Sequence, residues 1–202
     1  GENVNYSWEH LAKYANGKLI VYSVKEVGES GGTIAGKDGA EYQVTYNNYD
    51  VTNSYTPEET EVSGSKTWDD ANNQDGKRPE SITIQLLADG KEVAGKSVVL
   101  TGENVNYSWE HLAKYANGKL IVYSVKEVGE SGGTIAGKDG AEYQVTYNNY
   151  DVTNSYTPEE TEVSGSKTWD DANNQDGKRP ESITIQLLAD GKEVEGKTAV
   201  LT

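Results

Sequence analysis

Three residues of this sequence, a lysine, a glutamate and an asparagine, each stand as the one polar group in an otherwise apolar row. In Val62–Trp68 (VSGSKTW), a strand would put Val62, Gly64, Lys66 and Trp68 on one face, because side chains alternate with a period of two. The same parity puts Ile121, Tyr123, Val125 and Glu127 on one face of KLIVYSVKEV, and Tyr150, Val152, Asn154 and Tyr156 on one face of YDVTNSY. A lysine on a buried face is costly unless it is paired or neutralised. Taken alone, Lys66 reads as a lysine snorkelling at a sheet rim. Three complementary exceptions within one domain's length of chain argue instead for mutual contact.

The chemistry available to the three groups is aminolysis of an amide. Burial lowers a lysine's pKa and raises a glutamate's, so a buried pair can exchange a proton and sit as neutral amine and carboxylic acid. Neutral Lys66 would then be a nucleophile. Protonated Glu127 would donate to the Asn154 amide oxygen, steady the oxyanion and shuttle a proton to the departing ammonia. The product is a Lys–Asn isopeptide bond, formed once. The alternative is an unreacted buried hydrogen-bond cluster of the same three residues.

The elements that must position these groups are β-like. VSGSKTW is followed by the polar loop DDANNQDGKRPE. SITIQLLA alternates Ile82, Ile84 and Leu86 against Thr83 and Gln85, and ends at the turn pair Asp89-Gly90. KSVVLT (from Lys96) and VNYSW (from Val105) read as short strands, and EHLAKYAN (from Glu110) has the spacing of a helical turn stopped by Gly118. KLIVYSVKEV, EYQVTY and YDVTNSY complete six or seven strands, the pattern of an antiparallel sandwich or Greek-key module.

Self-comparison sets the organisation. Residue n matches residue n+101 throughout except at Ala94/Glu195, Ser97/Thr198 and Val98/Ala199, so the chain is two copies of a domain-sized unit. Pro57 and Pro158 sit in the acidic segment YTPEETEV, which reads as a linker. One complete domain is then expected over residues 58–158, flanked by a C-terminal part of another at 1–57 and an N-terminal part at 159–202. The duplicates of the three polar groups, Lys167, Glu26 and Asn53, fall on opposite flanking pieces.

Composition narrows the function. The 202 residues carry a formal charge of −15, which opposes binding to nucleic acid or to an anionic membrane. With no cysteine, disulfides and thiolate metal sites are excluded. Counted from Asp70, DDANNQDG misses the calcium-loop template, with glycine at the seventh position and Ser81 at the twelfth, and reads as a solvated turn. His10 and His111 are one position duplicated, with no second histidine per unit to suggest a metal. Nothing calls for a cofactor.

VSGSKTWDDANNQDGKRPESITIQLLADGKEV, then YSVKEV, then DVTNSYTPEE, closely resembles the Cna B-type repeat of Gram-positive surface adhesins and pilins. The resemblance implies an all-β, inverse immunoglobulin-like β-sandwich in tandem repeat, with first and last strands parallel and joined by a spontaneous isopeptide bond. Carried over by position, it places the bond at Lys66 and Asn154 with Glu127 as catalytic acid, and in the duplicate at Lys167 and Asn53 with Glu26. It implies a cell-surface, wall-anchored stalk rather than a turnover enzyme, with neighbouring repeats as partners and a host ligand held by another domain. A module binding a host matrix protein is the alternative, as is a permuted repeat polymerising head to tail through its half-domains.

Overall fold

The computed structural model describes residues 4–202, which form two compact units meeting at Pro158 and Glu159. In chain order the strands are β1 (Tyr14–Ala15), β2 (Lys18–Leu19), β3 (Thr33–Ala35), β4 (Glu41–Asn47), β5 (Asp50–Ser54), β6 (Glu59–Asp69), β7 (Ile82–Ala88), β8 (Lys91–Leu100) and β9 (Val105–Ala113). There follow β10 (Tyr115–Ala116), β11 (Lys119–Leu120), β12 (Tyr123–Glu127), β13 (Thr134–Ala136), β14 (Glu142–Asn148), β15 (Asp151–Ser155), β16 (Ile183–Ala189) and β17 (Lys192–Leu201). No helix beyond single 3₁₀ turns is found among the described residues.

Strands β6 to β15 make a β-sandwich. One sheet has the order β13-β14-β15-β6-β9 and the other β12-β7-β8. Every pairing is antiparallel except β15 with β6, the last strand beside the first, in register Val152↔Lys66 and Asn154↔Trp68. The inward rows bury Val62, Ile82, Ile84, Leu86, Leu100, Tyr107, Trp109, Val125, Val145 and Val152 in one core. Two tight turns carry the residues such turns require: Asp89-Gly90 and Asn117-Gly118 have positive φ at both positions, matching the strand twist.

The helical turn expected over Glu110–Asn117 is not there; β9 runs on through Ala113, and β10 and β11 form a small hairpin. The cause is a β-bulge. Thr60 pairs with Leu112 and Val62 with Trp109, so three steps along β9 answer two along β6, and His111 takes a left-handed φ of 55°. The bulge turns Trp109 and Leu112 to the same buried face, and an i,i+3 spacing that imitates a helix results. The expected acidic linker is also partly strand, because β6 begins at Glu59. Its charges are answered across the sheet, Glu59 by His111 and Glu58 by Lys114, both at 2.7 Å.

The two copies differ where a partner strand is present in one and missing in the other. Residues 105–113 form β9 against β6, whereas their duplicates 4–12 carry no strand pairing among the described residues. Residues 160–170, the duplicate of β6, carry none either, although β16 and β17 pair as β7 and β8 do. An extended backbone alone leaves its N–H and C=O groups without partners, so the same sequence is a strand only beside another. Val62 is 1% exposed and its duplicate Val163 76%.

Candidate functional site

Lys66, Glu127 and Asn154 lie in the sandwich interior, 1%, 1% and 0% exposed. Lys66 comes from β6 and Asn154 from its parallel neighbour β15, on the same inward face. Glu127 comes from β12 in the opposite sheet, at the position paired with Ile84. Asn154 Nδ2 donates to Glu127 Oε1 at 3.0 Å, and the Glu127 backbone N–H donates to the Tyr147 hydroxyl at 3.0 Å. Glu127 Oε2 and Asn154 Oδ1 are buried with no hydrogen-bond partner. A buried polar atom without a partner is uncommon and costly, and here an acid oxygen and an amide oxygen share that state at one place.

Lys66 Nζ sits 3.7 Å from the centre of the Trp68 ring and donates to the Thr67 carbonyl at 2.7 Å. Trp68 pairs with Asn154 across the parallel strands, and Lys66 with Val152. Burial lowers the Lys66 amine to about 8, helped by the Arg78 charge and opposed by Glu127 and Asp70. Burial also raises the Glu127 carboxyl, against the Asn154 hydrogen bond and the Lys66 charge. Both directions favour a neutral amine beside a neutral acid.

Two features differ from the sequence reading. The Asn154 contact to Glu127 runs through the amide nitrogen and leaves the carbonyl oxygen free. Glu127 Oε1 is therefore placed beside the amide nitrogen rather than the amide oxygen. The polar loop after β6 is also not simply a solvated turn, because Asp70 is buried. Arg78 Nε and Nη2 donate to its two oxygens, the Asn73 N–H donates at 2.9 Å, and the Tyr143 hydroxyl at 3.1 Å. Burial would raise the Asp70 carboxyl, but these donors together hold it below the usual range.

Arg78 in turn lies 5.5 Å from the Trp68 ring, which also meets Tyr143 edge-on at 5.1 Å. An Asp and an Arg eight apart in a polar loop carry no periodic signal. Only the fold reveals them as the brace behind Trp68.

Of the duplicate residues, Glu26 and Asn53 are brought together, Asn53 Nδ2 donating to Glu26 Oε1 at 3.0 Å. Lys167 is exposed in the other unit, its amine against the Thr168 carbonyl and 3.8 Å from the Trp169 ring.

The Cna protein B-type domain family matches residues 1–54, 62–155 and 163–202. The chain belongs to that family. It is similar to the collagen adhesin of Staphylococcus aureus, 39% identical over 193 residues, which are 96% of this chain and 15% of that protein. It is also similar to the crystal structure of two B repeat units of the collagen binding protein of Staphylococcus aureus. That match has 38% identity and a TM-score of 0.57, covering 96% of this chain and 48% of the other. This Cna B-type chain thus spans a small part of its curated relative. Its family is one of adhesin repeats rather than of enzymes, and the all-β tandem arrangement expected for it is what the strands form.

A pH dependence follows from the buried amine. In an Asn154→Ala variant Lys66 remains a titratable buried amine. Its folded pKa, about 8, lies below the unfolded value of 10.5, so between those two the unfolded chain binds more protons. Stability relative to a Lys66→Met, Asn154→Ala control is therefore expected to rise with pH from about 8 to about 10.5. Thermal unfolding of the pair across that range checks it; a constant difference would mean the amine is not desolvated.

Proposed function

We propose that residues 58–158 are a self-locking spacer repeat of a cell-surface adhesin, closed by an isopeptide bond between Lys66 and Asn154. The observation that carries this reading is the burial of amine, acid and amide together, with the acid bonded to the amide nitrogen. Neutral Lys66 Nζ attacks Asn154 Cγ. The Nζ–Cγ bond forms, the Cγ–Nδ2 bond breaks, one amine proton passes through Glu127 to Nδ2, and ammonia leaves. Each site reacts once, so this is self-processing rather than turnover.

The mechanical role follows from the parallel pair. Tension applied through the chain reaches β6 and β15 first, and a covalent bond between them carries the load past the 87 residues enclosed by positions 66 and 154. Residues 1–57 and 159–202 are parts of further repeats with sites at Glu26, Asn53 and Lys167. The setting that fits is the exterior of a Gram-positive wall, with neighbouring repeats as partners and ligand recognition in another domain. Intact-mass measurement tests the bond: one ammonia less than the sequence mass is expected for residues 58–158, and an unmodified mass would sink the reading.

A further inference from the structure

We infer that Asp70 and Arg78 are positioning residues for the cross-linking reaction: they fix the Trp68 ring as the platform for the Lys66 amine and hold one permanent cation beside it. This rests on the isopeptide reading above and extends it from the three reacting residues to the groups that aim the amine.

Lys66 Nζ lies 3.7 Å from the centre of the Trp68 ring, so the place of the ring decides the place of the amine. The ring is met by Tyr143 edge-on at 5.1 Å and by the Arg78 guanidinium at 5.5 Å. Asp70 ties those two together, accepting two bonds from Arg78 and one from the Tyr143 hydroxyl at 3.1 Å. The Asp70 and Arg78 side chains are 1% and 11% exposed. A buried ion pair contributes little net stability over apolar packing of similar volume. Stability alone therefore does not account for one set against the ring that carries the amine.

The loop is strained in order to make this pair. Ala71, Asn72 and Asn73 are left-handed in succession, with φ of 52°, 59° and 59°, a conformation disfavoured for residues with a Cβ and tolerated best by asparagine. The run turns the Asn73 N–H back onto Asp70 at 2.9 Å and lets the Asn73 side chain accept the Arg78 N–H at 3.0 Å. Bonds from outside the loop hold its two ends. The Tyr156 N–H donates to the Asp69 carbonyl at 2.9 Å, and the Lys138 N–H to the Lys77 carbonyl at 2.7 Å. Strain that the surroundings hold in place clusters at functional segments. The duplicate loop repeats the pattern, with Ala172, Asn173 and Asn174 left-handed and Arg179 bonded to Asp171 and 5.5 Å from the Trp169 ring. The arrangement is thus set by the loop's own residues.

The electrostatics point the same way. Burial is the main reason the Lys66 amine falls to about 8; the Glu127 charge opposes it, the Arg78 charge adds to it, and the Asp70 charge opposes it more weakly than Arg78 helps. The ion pair therefore presents its positive end to the amine, and a guanidinium keeps that charge at any working pH. The Glu127 carboxyl answers first to its own burial, then to Asn154, Lys66 and Glu130, so the brace bears on the nucleophile rather than on the acid. The strands packed around Lys66 bring the hydroxyls of Tyr107, Tyr143 and Tyr147, each raised by burial and neutral.

The test follows ammonia loss by intact mass in full chains made in a short cell-free pulse and quenched at intervals across a range of pH. Every chain carries Asn53→Ala, so the loss of one ammonia reports the Lys66–Asn154 bond alone. Asp70→Asn with Arg78→Gln keeps the shape of the pair and removes both charges together, leaving neither unpaired. It is expected to slow the bond about tenfold or more at neutral pH and to move the limb of the pH–rate profile set by Lys66 to higher pH. Arg78→Lys keeps the charge and loses the fork, so it should react slowly with that limb where it stands in the parent chain. Unchanged kinetics in the double variant overturn the inference and leave the cross-link standing. A loss of rate equal at every pH, with the limb unmoved, makes the pair merely structural and also overturns it. Where thermal unfolding shows that the double variant does not fold, Arg78→Lys decides: a slowed reaction with an unmoved limb supports the inference, and parent kinetics overturn it. A parent chain that never loses ammonia overturns the isopeptide reading and this one with it.

Discussion

Glu127→Ala is expected to leave residues 58–158 at their unmodified mass and to lower the unfolding midpoint of that domain more than any other single substitution in the site. Two effects combine. On the proposed mechanism, losing the acid removes the proton's route from Lys66 to the leaving nitrogen, and the bond is expected not to form. A bond joining positions 66 and 154 closes a loop that, by analogy with disulfides, contributes about 4–5 kcal/mol.

The substitution also leaves Lys66 1% exposed with no carboxyl to answer it. Breaking one side of a buried charge pair typically costs about 3–5 kcal/mol, reduced here because burial already pushes the amine toward its neutral form. Asn154→Ala separates the effects, since it abolishes the bond but keeps the acid beside the amine. Calorimetry should therefore rank unsubstituted chain, Asn154→Ala and Glu127→Ala in descending stability, with mass spectrometry reporting the bond in the first alone. A bonded Glu127→Ala chain would remove Glu127 from the reaction.

Gly64→Ala is expected to destabilise the complete domain by about 3 kcal/mol, while the identical substitution at Gly165 is expected to change the stability of this 202-residue chain by less than about 0.5 kcal/mol. A Cβ on Gly64 would overlap the Tyr150 carbonyl oxygen, lie 2.7 Å from its carbon and meet the Tyr107 hydroxyl at 3.0 Å. The obstacle is mostly backbone, and the backbone cannot swing aside as a side-chain tip can. The strand would have to move off β15, two residues from Lys66, so bond formation should slow as well. A Cβ on Gly165 would meet no atom of the described residues within 4 Å beyond its chain neighbours. Urea unfolding of the two variants checks the contrast, and equal losses would show that glycine's own backbone freedom, rather than the close approach, sets the cost.

The period-two rows were legible because strand parity is a local property. Val62 and Lys66, Val125 and Glu127, and Val152 and Asn154 are buried in the pairs that alternation alone assigns. The same local reading failed at Glu110–Asn117, where a bulge opposite Thr60 and Val62 sets the spacing. A bulge is defined by the partner strand, so no inspection of β9 by itself could separate it from a helical turn. Asp70 and Arg78 were passed over for a similar reason. Both look like ordinary loop polar residues until Tyr143, 73 positions from Asp70, closes over the carboxylate.

The sequence by itself determined the two-copy organisation, the β class, the resemblance to the Cna B-type repeat and which three polar residues, Lys66, Glu127 and Asn154, the fold would bury. Those follow from composition, alternation and self-similarity, which need no knowledge of neighbours. Tertiary structure decided which nitrogen and which oxygen of Asn154 meet the acid, what braces Trp68 beneath the amine, and which copy of VSGSKTW is a strand. Val62–Trp68 and Val163–Trp169 are identical in sequence, yet one lies between β9 and β15 and the other has no pairing strand among the described residues. A strand's hydrogen bonds and half of its burial are supplied by other segments, so its chemistry is set by what lies beside it.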